Sequence, residues 1–160
     1  MTSVQERELL RSTKALDGLR ANSFAAIVML LLEFGLGVGV NLYATLPTSD
    51  HGRALLPAFG NAVTGGPAIL ATHALLGTVL LITGVSAVVR ASLLRRIALI
   101  EIASVSLLAI VDAWLSGARF VGTMANGASL AMAVATGVSL LCYALILLIA
   151  PRSPMRERTS

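Results

Sequence analysis

The sequence predicts an all-helical integral membrane protein, a bundle of four transmembrane helices with a short amphipathic helix at the N-terminus. Three observations predict it. Four apolar runs, over 22–46, 68–89, 97–116 and 127–150, are each about 20 residues or longer, the length an α-helix needs to cross about 30 Å of hydrocarbon. Of the 160 residues 56% are hydrophobic and 12% charged, where a soluble domain carries about 25% charged residues. The basic residues are also distributed unevenly between the two ends of the runs. Inside lipid every backbone N–H and C=O must be paired within its own segment, so such runs are helices.

The segment 1–21 carries Arg7, Arg11, Lys14 and Arg20. Leu9, Leu16 and Leu19, with Thr13, fall near one face of a helix over 5–20, and the pattern predicts an amphipathic segment resting on the inner leaflet. The first span, 22–46, is too long for the h-region of a signal peptide and contains Glu33, so it is expected to be retained. The loop 47–67 is rich in Gly and Pro but holds the apolar stretch 54–59, which suits a short interfacial helix. Pro67 suits the first turn of the second span, 68–89.

Arg90, Arg95 and Arg96 lie between the second and third spans, and Arg152, Arg156 and Arg158 in the tail 151–160. With the N-terminal four, ten of the twelve basic residues lie at one end, leaving Arg53 and Arg119 at the other. That asymmetry predicts both termini inside and the loops 47–67 and 117–126 outside. It also accounts for the net charge of +4 without a nucleic-acid partner. The only cysteine, Cys142, is within an apolar run, which excludes an intrachain disulfide and leaves the thiol inert.

Helices in lipid associate through close backbone approach and interhelical hydrogen bonds. The expected packing positions are Gly35 and Gly39 of a GxxxG pair, Gly77 and Gly84, and the ladder Gly127, Ala131 and Ala135. The aromatic residues Tyr43, Trp114 and Phe120 fall near the outer boundary and suit an interfacial belt.

A polar residue inside a membrane is costly, and each one needs a reason. Glu33 falls near the bilayer midplane, about 16 Å into its helix. With Gly37, Asn41 and Thr45 it forms one slowly drifting stripe. This stripe either lines a proton or ligand path or ties the bundle through hydrogen bonds. His73 and Asp112 are expected with Asn41 in one layer toward the outer face, either as a register-fixing network or as a functional site. Glu101, in the first turn of its helix, reads as structural, favoured by the helix dipole. His51, His73 and Asp112, with Asp50, are the residue types a divalent metal would take, though no HxxxH or HxxE spacing is present.

The run 72–77, Thr-His-Ala-Leu-Leu-Gly, resembles the haem-ligating helices of b-type membrane cytochromes and of haem A synthase halves, where a small residue one turn after the histidine makes room for the porphyrin. The resemblance covers those six residues and implies His73 as an axial ligand. It departs from those families in that His73 is the only histidine within a span. A second ligand would come from Met29, Met132, His51 or another subunit.

No serine or cysteine sits in the context of a nucleophile. The functional expectation is a non-enzymatic accessory or binding subunit, or a minimal conduit, acting through Glu33, Asn41, His73 and Asp112. The alternatives are a haem-binding redox protein using His73 and an enzyme acting on a lipid or quinone. The expected setting is a bacterial inner membrane, in contact with the bilayer and with a membrane-protein partner or further copies of itself.

Overall fold

The computed structural model describes residues 3–44, 52, 54–123 and 125–151. Among them are five helices: α1 Ser3–Tyr43, α2 Leu55–Thr64, α3 Ala68–Leu93, α4 Ile97–Thr123 and α5 Asn126–Ile149. All except α2 are long and apolar enough to cross a membrane, and they make the chain a multi-pass helical bundle.

The four long helices form a ring in the order α1, α3, α4, α5, each antiparallel to its neighbours, with α2 laid across α3 and α4 at one end. The segment expected as a separate amphipathic helix and the first span fall on one continuous helix, α1. No proline interrupts it, and once a helix is nucleated each further residue adds a hydrogen bond. Ala15 and Leu19 are buried, so this part of α1 packs in the bundle. At its C-terminal end α4 runs to Thr123, past the fall in hydropathy at 116, because Gly117 and Arg119 are tolerated within a helix.

The short helix α2 begins with Pro57 in its first turn, where a missing N–H costs nothing. Ala58 and Ala62 are buried against the bundle, so α2 covers its end. A Cβ at Gly66 would lie 2.6 Å from the Ala62 carbonyl oxygen, so only glycine lets the chain turn this tightly from α2 into α3. Pro67 caps α3 with φ −55°. At the opposite end α3 turns into α4 through Arg95, whose φ of +52° is the left-handed conformation that terminates helices.

The core lies mainly in the half of the bundle away from α2. Leu19, Leu30, Leu80, Leu99, Ile110, Tyr143 and Ile146 fill it. Buried hydroxyls largely bond their own helix, as Ser23 does to the Leu19 carbonyl at 2.8 Å and Ser139 to that of Ala135 at 2.9 Å.

The expected packing glycines divide. Gly84 receives Leu107 and Ile110 of α4, with the Leu107 Cδ1 3.0 Å from where a Cβ would stand. Gly39 faces Ile69. Ala135 is buried and Ala131 half-buried. Gly35 and Gly127 are exposed, with nothing within 4 Å of a Cβ. The GxxxG pair therefore does not act as a unit. The inward line of α1 runs through Leu30, Glu33, Gly37 and Val40, and Gly35 stands half a turn from Gly37, on the other side.

Arg20 reaches from α1 to the last turn of α5 and donates to the carbonyl oxygens of Leu147, at 2.9 Å, and Ala150. These carbonyls have no partner within their own helix, and the guanidinium also meets the negative end of the helix dipole. We expect Arg20→Ala to destabilise the bundle by about 1–2 kcal/mol. Thermal unfolding in detergent would show this, with Arg20→Lys falling between the two.

Candidate functional site

Toward the α2 end, small residues from several helices coincide at one level: Gly37 on α1, Ala74 and Gly77 on α3, Ala113 and Gly117 on α4 and Ala133 on α5. Their missing side chains leave a cavity of about 180 Å³. Its walls are mostly apolar and include Phe34, Phe59 of α2, Trp114 and Met132. An apolar cavity of about 150 Å³ takes one benzene-sized ring, so this one holds about one ring together with a small substituent.

Two titratable side chains enter it. His73 Nδ1 lies 3.1 Å from Glu33 Oε1, with the two side chains 20% and 13% exposed. The contact is close but out of line: His73 Nδ1 and Glu33 Oε2 are both buried without a hydrogen-bond partner. An acid beside a base gives each a counterpart, which is how a bundle tolerates both at this depth.

The pair is seated reciprocally. Glu33 of α1 lies over Gly77 of α3, where a Cβ would come within 3.0 Å of Oε1. His73 of α3 lies over Gly37 of α1, where a Cβ would come within 3.2 Å of Cε1. Each polar residue is followed four positions later by the glycine that receives the other helix's side chain. On antiparallel helices two such i,i+4 pairs face one another, so backbone proximity and the polar contact come from the same four residues.

Trp114 forms the third wall. Its Nε1–H donates to Thr78 Oγ1 at 3.3 Å, while the Thr78 hydroxyl donates to the Ala74 carbonyl at 2.9 Å. Its ring meets Phe59 at 5.0 Å between centroids, tilted by 44°. This contact fixes α2 over the mouth of the cavity.

The expected polar residues are placed as follows. Glu33, Gly37, Asn41 and His73 all line the cavity, Asn41 near its edge and largely exposed. Thr45, Asp50 and His51 lie outside the described residues. Asp112 is exposed on the outward side of α4 and does not border the cavity, so the partner of His73 is Glu33. Of the three aromatics assigned to a belt, Tyr43 is 82% exposed, whereas Trp114 and Phe120 line the cavity. Trp114 and the ring of small residues were missed as site features; the only sequence signal was their coincidence in depth.

Among the described residues no group of three His, Cys, Asp or Glu side chains converges to hold a metal ion. Met132 borders the cavity with His73, while Met29 packs on the apolar core. Room for about one ring does not fit a porphyrin, which carries four. No family model, curated protein or solved structure matches this chain, so its function is argued from the site.

Proposed function

We propose that this protein is a non-enzymatic binding subunit of a bacterial inner membrane. In this reading it holds a lipid-soluble molecule of about one ring that presents a hydroxyl or N–H to the Glu33–His73 pair. The observation that carries this is the buried, unpartnered Glu33 Oε2 beside His73, inside a mostly apolar, aromatic-walled cavity. Ligand sites in bundles have this composition: apolar walls with a few polar groups that fix orientation. A carboxylate oxygen with no partner is a standing acceptor, and a ligand donor of the right reach would satisfy it.

The basic-residue asymmetry orients the reading, with both termini cytoplasmic and the cavity in the outer half of the membrane. Binding is favoured over conduction by the other half of the bundle. There Leu19, Leu30, Leu80, Leu99, Tyr143 and Ile146 pack the interior, and the buried hydroxyls of Ser23 and Ser139 donate to carbonyls of their own helices.

Trp114 is the only tryptophan in the chain and borders the cavity, so its fluorescence reports occupancy. A 4-alkylphenol and its methyl ether, titrated into detergent-purified protein, have nearly the same shape and differ in one donor. The phenol should bind about tenfold tighter, the effect of about 1.4 kcal/mol from one charge-assisted hydrogen bond. Glu33→Gln should reduce that preference to about threefold, because the amide oxygen still accepts but carries no charge. Equal affinities for the two ligands, or a preference unchanged by Glu33→Gln, would refute the reading.

A further inference from the structure

Asp112 is a second intramembrane acid, and it faces the opposite way. The buried line of α4 runs through Leu99, Ala103, Ser106 and Ile110. Asp112, two residues beyond Ile110, is turned about 200° from that line and is exposed on the outside of the bundle. Its depth is fixed twice. It is near the middle of α4, Ile97–Thr123. The Trp114–Thr78 hydrogen bond then sets it level with Leu80, the middle of α3, Ala68–Leu93. Among the described residues none forms an ion pair or hydrogen bond with it.

An ionisable side chain at mid-bilayer is costly when it meets lipid, and such residues almost always face protein or water. The surroundings of Asp112 on the helix carry a second signal. Glu101, Val105, Leu108, Asp112 and Arg119 are all exposed, and with half-buried Leu115 they are spaced alternately by four and three residues. They form one face of the helix, along which a second helix could lie.

Charge decides the occupant. Two copies of this chain inserted with the same orientation would pair α4 in parallel, setting Glu101, Asp112 and Arg119 each against its own like charge. A foreign helix with a cation at the level of Asp112 would instead neutralise the carboxylate. We infer that the outward face of α4 docks a transmembrane helix of another protein, seated by a lysine or arginine opposite Asp112. This rests on a different face from the cavity and stands or falls without it.

A photo-crosslinking amino acid at position 108, beside Asp112 on that face, tests it in native membranes. The expected result is an adduct with one other polypeptide whose span carries a Lys or Arg. Asp112→Leu should cut its yield at least tenfold. Asp112→Lys should abolish it, and exchanging the partner's basic residue for Asp should restore it. An adduct of two copies of this chain, lipid adducts alone, a partner with no basic residue in its span, or an adduct that persists in Asp112→Leu would each overturn the proposal. The purified Asp112→Leu protein should melt no lower than wild type; a lower melting temperature would show that Asp112 serves the fold of this chain and overturn it as well.

Discussion

Glu33→Leu will lower the unfolding free energy of the detergent-solubilised bundle by about 3 kcal/mol, and adding His73→Leu will recover most of it. Removing one member of a buried pair strands the other, which costs about 3–5 kcal/mol, whereas an apolar replacement of both is often neutral. The low end applies because the side chains are 13% and 20% exposed and their contact is out of line. His73 is what Glu33→Leu strands: Nδ1 is buried and has no other partner. The two glycines beneath the pair leave little room to rearrange, since Cβ positions at Gly37 and Gly77 already stand 3.2 and 3.0 Å from these side chains. Denaturation by SDS titration of mixed micelles, run on wild type, both single variants and the double variant, gives the coupling energy directly. Additive single effects would mean that the two residues share a cavity without acting together. Glu33→Gln keeps an acceptor oxygen near His73 and should fold, which is why it serves the ligand titration.

The four apolar helices, and the place of Glu33 and His73 on two of them, were legible in the sequence because hydropathy marks such helices directly. What depth does not report is direction around the helix, where each residue turns the side chain by about 100°. Counting from helix ends grouped His73 with Asp112, which face opposite ways. The added turns of α4 up to Thr123 also set Asp112 deeper than the end at 116 implied. The Glu33–His73 pairing had a trace in the chain, since both residues are followed four positions later by glycine. Which helices would face one another was not written there. Trp114 shows the same limit: its depth suits a belt as well as a cavity wall, and only the bond to Thr78 and the ring of Phe59 turn it inward.

The apolar half of the bundle can be tested as a packed body, and the binding reading depends on it. Tyr143 is the largest fully buried side chain and is 0% exposed, at the centre of that half. Tyr143→Ala should destabilise by about 3 kcal/mol. Aromatic-to-alanine changes in cores cost about 3–5 kcal/mol. The lower end applies because transfer from lipid contributes little and the loss is mainly dispersion contacts around a void. Tyr143→Phe should stay within about 1 kcal/mol, because only Ser106 stands beside the hydroxyl and one neutral hydrogen bond contributes about that much. The contrast separates shape from polarity. A large effect of alanine with a small effect of phenylalanine means that the ring fills space and the lower interior is closed. A costly phenylalanine variant would mean that the hydroxyl joins a polar chain, with Ser106 and Ser139 at hand on facing helices. The conduit reading would then regain a path from the Glu33–His73 pair toward the other end of the bundle. An alanine variant with no cost would show the half around Tyr143 to be loosely packed and would take away the reason for preferring binding to conduction.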